Sequence, residues 1–220
     1  KTRGCDVTVL EGAPAPLIRG LGAEMGRHIA RLHEDNGVAI KCDVRVDGFV
    51  EGEPGVVAGI RLADGEVIPA DVVVVGVGVS PATGWLESAG LEIRDGVVCD
   101  ETLRAAAGVY AAGDVARWPN RLLGREMRVE HWTNASEQGA AAARNLLAES
   151  RGEVGTAYES VPFFWSDQYT SRIQFIGHHG DELRAALGVS RPKQVMPFSK
   201  LLAERASWQR ALELVATWEQ

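Results

Sequence analysis

Paired cysteines are missing from this 220-residue chain. Cys5, Cys42 and Cys99 are odd in number, far apart, and in no C-x-x-C or zinc-ligand spacing. That argues against a redox-active disulfide and a cysteine metal site, and for reduced thiols in a cytosol. No apolar run approaches the roughly 20 residues that span a bilayer, so a soluble, cytoplasmic chain with no membrane contact is expected. A basic surplus is also missing. With 23 Lys and Arg against 30 Asp and Glu, the formal charge is −7 and the pI near 5.3, which argues against nucleic acid as a partner. The chain opens at Lys1 as though in mid-sequence, without a basic n-region and apolar h-region, so no export signal is expected. A glycine-rich phosphate loop is missing too. Gly20-Leu21-Gly22 follows a Pro-containing loop and Gly26 is one position out of place for G-x-G-x-x-G, which makes it a decoy. His178 and His179 have no carboxylate or cysteine partner at metal-ligand spacing and read as surface polar groups.

What is present reads as α/β. Residues 5–12 predict a strand, residues 21–36 a helix with Leu21, Met25, Ile29 and Leu32 on one face, and Val38 to Ile40 a second strand. Asn36-Gly37 stops the helix. Strands over 44–49, 56–62 and 66–68, broken by Glu53-Pro54-Gly55 and Asp64-Gly65, predict an antiparallel meander. The valine-rich run 72–81 predicts a buried strand. A short helix over 85–89 and strands over 96–99 and 109–112 follow, then an Ala-rich helix over 133–148 with Thr133 or Asn134 as its cap. Glu149 to Gly155 is the linker candidate. Beyond it, 161–169 and 172–177 predict aromatic-rich strands before a helical tail.

Glu11 ends the first strand, where an acid can accept hydrogen bonds from an adenosine ribose in a doubly wound fold. Such an acid lies about 20 residues beyond a phosphate loop, and only ten residues precede it here, so a solvated carboxylate is the competing reading. Gly76 and Gly78 would let backbone approach a ligand at a strand's carboxyl edge, or form a plain tight turn. Gly113-Asp114 ends a strand, so the carboxylate would project where open α/β sheets bind ligands; an Asx turn is the alternative. RVEHWTNASEQG (128–139) leads into the Ala-rich helix, whose N-terminal amides and dipole could stabilise negative charge.

Together these segments carry a resemblance. VTVLE, VVGVGVSP, CDETLR, VYAAGDVA, EHWTNASEQG and VPFFWSDQY resemble, in order and approximate spacing, the two-dinucleotide-binding-domain flavoproteins and within them the NADH-dependent ferredoxin and rubredoxin reductases. The resemblance covers most of the chain. It implies that Glu11 holds the adenosine ribose of NADH and that Gly76, Val77 and Gly78 touch the nicotinamide side. It implies that Gly113 and Asp114 hold the FAD ribitol, that Glu130, His131 and Trp132 lie near isoalloxazine and nicotinamide, and that Trp165 approaches the flavin. Gly12 and Ala13 offer no basic group for a 2′-phosphate, which favours NADH over NADPH against the nearby Arg19. NADH would pass a hydride to flavin N5, and the flavin single electrons to a two-iron two-sulfur ferredoxin or a rubredoxin. No side-chain nucleophile and no metal are needed, and the resemblance admits a homodimer.

The implied fold is an α/β, Rossmann-like, truncated two-dinucleotide-binding-domain flavoprotein with a small C-terminal α+β domain. Its parts are a partial NAD-binding domain (1–103), the C-terminal segment of an FAD-binding domain (104–155) and a reductase domain (156–220). Two departures matter. Neither phosphate-binding loop lies within residues 1–220, which predicts weak or absent cofactor binding by these residues alone. A β-hairpin expected between Glu182 and Leu183 is also skipped in the sequence. Arg117, Arg121, Arg125 and Arg128 form a basic segment that could steer an acidic ferredoxin or simply face solvent. The alternatives are a nitrite-reductase or NADH-oxidase relative and a non-catalytic binding module.

Overall fold

The computed structural model describes residues 1–177 and 185–218, the side chain of Arg19 excepted. The histidine pair 178–179 and the Glu182–Leu183 join lie outside the described residues. The chain divides into two compact units, Lys1–Gly78 and Val79–Gln220.

In the first unit, β1 (Thr8–Leu10), α1 (Ile18–Asp35) and β2 (Ala39–Lys41) make the expected βαβ turn, with the strands parallel and Thr8 opposite Ala39. Gly22 (φ 78°, ψ 166°) kinks α1 just after the buried Leu21, and beyond the kink the three- and four-residue spacing explains the helix, with Ile29 buried and Met25 and Leu32 half-buried on one face. At its end the Asn36 side-chain amide donates to the Leu32 carbonyl at 2.8 Å, satisfying a carbonyl the helix leaves free. The strands β3 (Val46–Glu51), β4 (Val57–Leu62) and β5 (Val67–Pro69) form the antiparallel meander. Its first turn is closed by Glu51 Oε1 accepting from Gly55 N–H, and its second by Asp64 Oδ1 accepting from Glu66 N–H at 3.0 Å.

The buried strand expected over 72–81 does not form. Residues 72–79 carry no strand assignment, and Val74 is 91% and Val77 88% exposed. A β-branched run favours extended backbone, but a strand also needs a neighbour to pair its amides and cover its side chains. Among the described residues no ladder reaches this segment.

The second unit opens with a single 3₁₀ turn, Gly84–Leu86, where a short helix was expected. There follow β6 (Val97–Val98), β7 (Arg104–Ala106), β8 (Val109–Tyr110), a 3₁₀ turn at Gly113–Val115, β9 (Ala116–Asn120) and β10 (Arg125–Arg128). The strand beginning at Val109 therefore ends at Tyr110 rather than Ala112. β9 runs parallel to β6 and antiparallel to β10. Helix α2 (Trp132–Ser150) comes next. Residues 151–154 are exposed. The chain is then pinned by Asn145, which exchanges hydrogen bonds with the Thr156 backbone at 2.9 Å in both directions. One core packs Val97, Leu103, Trp118, Val129, Ala141, Ala142 and Tyr158. The remaining elements are β11 (Phe163–Gln168), β12 (Ser171–Gly177), β13 (Ala185–Val189), α3 (Pro192–Val195), α4 (Phe198–Ala203) and α5 (Trp208–Ala216). Their strands form an antiparallel sheet in that order. The helices close a second core on Ile176, Val195, Phe198, Leu201, Leu202 and Ala211. No helix among the described residues is long and apolar enough to cross a membrane.

Candidate functional site

The site begins where the backbone after β8 turns. Ala112 is extended (φ −145°, ψ 154°) and Gly113 takes φ +76°, a conformation that disfavours any side chain. A Cβ added there would also press on Ala135 Cβ at 3.3 Å. The turn is held from α2, because Gly113 N–H donates to Gln138 Oε1 at 2.8 Å and Gln138 is fully buried. On the other side the Asp114 carbonyl accepts from Arg128 Nη1 at 3.0 Å. Neither Gln138 nor the contact of Arg128 with this turn was singled out from sequence. The available signal was spacing, since Ala135, Gln138 and Ala142 share the helix face that meets the turn.

The N-terminus of α2 supplies the second half. Neither Thr133 nor Asn134 caps it: the cap position is His131, extended at φ −112° and ψ 140°, with no side-chain capping bond. Thr133 Oγ1 instead donates to the Phe163 carbonyl at 2.9 Å, and Asn134 Nδ2 to the Val129 carbonyl at 3.2 Å. Those side chains tie α2 to its neighbours, leaving the first-turn amides without intrahelical acceptors. In front of them Asp114, Glu130, Trp132, Ala135 and Ser136 line an open cleft of about 590 Å³. Trp132 is 83% exposed, a bare aromatic face available for stacking. Glu130 Oε1 accepts from Arg128 Nη1 at 2.5 Å.

His131 sits behind this cleft with its ring 5.1 Å from that of Phe164. Its Nδ1 is buried and has no partner among the described residues. Burial pushes its pKa below the ordinary value, against the opposing pull of Asp114 and Glu130. Burial therefore favours the neutral ring. Because the unfolded chain takes up this proton more readily, the stability contributed by neutral His131 is present above the unfolded pKa of about 6.5 and is lost as pH falls below it. The expected result is an imidazole NMR titration midpoint below 6.5, and a His131→Phe variant with a flatter stability profile between about pH 5 and 6.5.

A family model described as pyridine nucleotide-disulphide oxidoreductase matches residues 1–139. The chain belongs to this family. It is 37% identical over 176 residues to the 5,5′-dehydrodivanillate O-demethylase ferredoxin reductase subunit of Sphingobium sp., covering 79% of this chain and 42% of that protein. To the anthranilate 1,2-dioxygenase system ferredoxin–NAD(+) reductase component of Burkholderia cepacia it is 38% identical over 178 residues, covering 80% and 42%. A crystal structure of a ferredoxin reductase from Rhodopseudomonas palustris superposes with a TM-score of 0.85 at 27% identity, over 94% of this chain and 55% of that one. The chain thus spans less than half the length of these curated relatives. The fold is the mixed α/β, Rossmann-like architecture of the family with a smaller C-terminal α+β region, partial relative to those fuller proteins.

The other expected residues are not among those that line the cleft. Trp165 lies on β11, partly exposed, its ring stacked 5.8 Å from Phe163. In the first unit, Glu11 Oε1 accepts from Ala13 N–H at 2.9 Å and so closes its own turn. Gly76 and Gly78 stand in open space. The basic segment presents less free charge than its sequence implies: Arg117 and Arg128 both pair with Asp95, and Arg121 pairs with Glu101. Cys99 is buried and its pKa pushed up to about 11, which disfavours the nucleophilic thiolate.

Proposed function

We propose that this chain carries the flavin-facing part of an NADH-dependent ferredoxin reductase. The observation that carries the reading is the convergence of Asp114, Glu130, Trp132 and the α2 N-terminus on one cleft. A polyol finds an acceptor in the Asp114 carboxylate, a flat ring finds the Trp132 face, and developing negative charge finds the α2 amides and dipole. The positive-φ Gly113 turn, which leaves no Cβ in the way, fits the close backbone approach such a ligand requires. When bound, FAD supplies the capacity to accept two electrons from a pyridine nucleotide and release them singly.

In this reading Gly113, Asp114, Glu130, His131, Trp132 and Trp165 hold FAD. Glu11, Gly76, Val77, Gly78 and Glu130 serve NAD, with Glu11 accepting from the ribose hydroxyls and no cation at Gly12 or Ala13 to favour NADPH. Residues 1–103 belong to the NAD-binding domain, 104–155 to the FAD-binding domain and 156–220 to the reductase domain. The acceptor is a ferredoxin with a two-iron two-sulfur centre, rubredoxin being the second candidate, feeding a monooxygenase or dioxygenase. A cytoplasmic homodimer is the assembly we infer. The names of the relatives support the acceptor class, since two are components of oxygenase or demethylase systems.

The test uses the full natural polypeptide that carries these residues, loaded with FAD. NADH oxidation should couple to reduction of a two-iron two-sulfur ferredoxin, more efficiently than NADPH oxidation does. Rapid oxygen consumption with no ferredoxin reduction would instead support an oxidase.

A further inference from the structure

Arg128 ends β10 with a side chain only 13% exposed, although arginine is among the residues least often buried. Its three recorded polar contacts run in different directions. Nη1 donates to the Asp114 carbonyl at 3.0 Å and to Glu130 Oε1 at 2.5 Å, while Nη2 pairs with Asp95 Oδ1 at 3.2 Å. The first two partners line the cleft, and Asp95 is shared on its far side with Arg117. The fold leaves a passage for this side chain. Gly96 has φ +116°, and a Cβ there would lie 2.9 Å from Arg128 Cδ and 2.7 Å from the Val115 carbonyl. Arg128 is not itself among the cleft-lining residues, so whatever it does there it does through Asp114 and Glu130.

The charge around the cleft makes that role specific. Asp114 and Glu130 place two carboxylates in the cleft, Glu130 on the side where, on the reading above, a bound group gains negative charge on reduction. Like charge at a few ångströms opposes that gain, and a guanidinium bonded to one carboxylate offsets it. A planar fork also fixes the carboxylate's direction, as an ammonium does not. Asp95, further off, is held below the usual carboxylate range chiefly by its hydrogen bond to Arg128, so the guanidinium is anchored from behind.

We propose that Arg128 is a positioning residue of the cleft: it holds the Asp114 peptide and the Glu130 carboxylate in place and biases the bound flavin toward its reduced form. The inference rests on the flavin reading of the cleft and adds to it a residue and a measurable property. The experiment is a spectroelectrochemical titration of the full natural polypeptide that carries these residues, loaded with FAD, as wild type, Arg128→Met, Arg128→Met/Glu130→Gln and Glu130→Gln. Arg128→Met is expected to weaken reduced flavin relative to oxidised about tenfold, a fall of about 30 mV for a two-electron couple. Removing the uncompensated carboxylate in Arg128→Met/Glu130→Gln should restore more than half of that shift, which a purely structural role would not do.

Glu130→Gln keeps Arg128 and the fold, and should move the potential upward even if Arg128→Met does not fold. A flavin-loaded wild type whose potential is the same in folded Arg128→Met, or one that Glu130→Gln leaves unmoved, overturns the Arg128 inference while leaving the flavin reading standing. A wild type that takes up no flavin overturns both.

Discussion

Replacing Trp118 by alanine is expected to lower the unfolding free energy of the Val79–Gln220 unit by about 3–5 kcal/mol. Trp118 has no exposed surface and is the largest fully buried side chain described. Its ring packs against that of Tyr158 with centroids 5.6 Å apart and planes tilted by 51°, and its indole N–H donates to the Tyr158 carbonyl at 3.3 Å. Alanine would therefore leave both a cavity and a buried carbonyl without its donor. Against a typical total of about 5–15 kcal/mol, such a loss brings the unit close to unfolding. Urea titration followed by near-ultraviolet circular dichroism reads it directly. A loss below about 1 kcal/mol would show that the core is not built around this residue. The damage would extend to the cleft, because Trp118 pairs across the ladder with Met127, next to Arg128.

The second large effect separates function from stability. Asp114→Ala in the flavin-loaded natural polypeptide is expected to weaken FAD binding about 10- to 100-fold, the equivalent of one or two hydrogen bonds to a charged group. Stability should stay within about 0.5 kcal/mol, since the side chain is exposed and the turn is held by Gln138 and Arg128 through backbone atoms. Asp114→Asn, which keeps one acceptor, should fall between. Equal FAD affinity in all three, measured by equilibrium dialysis, would remove Asp114 from the site.

Much of the fold could be read from the chain because it depends on short-range pattern. The helical spacing of Met25, Ile29 and Leu32, the Asn36-Gly37 stop, and the turns at Glu53-Pro54-Gly55 and Asp64-Gly65 all specify local backbone that the structure adopts. The run 72–81 was misread for the opposite reason. Four successive valines state a preference for extended backbone, but burial depends on a partner strand distant in sequence. The cap of α2 was misplaced because Thr133 and Asn134 have cap chemistry, yet their side chains are drawn to the Phe163 and Val129 carbonyls. In the site, Asp114, Glu130 and Trp132 were visible as motif residues. Gln138 and Arg128 stand in the same 128–139 motif, but their roles were not visible, since these lie in reaching a backbone turn 24 and 14 residues away, respectively, from Asp114.

The most direct test of the cleft as a flavin site is amide and indole chemical-shift mapping of the 220-residue chain titrated with FAD. This reads weak binding as well as tight and locates it by residue. The account predicts shifts centred on Asp114, Glu130, Trp132, Ala135 and Ser136, with saturation in the roughly millimolar range expected when the phosphates have no cradle. Shifts that centre elsewhere on a folded chain would contradict it.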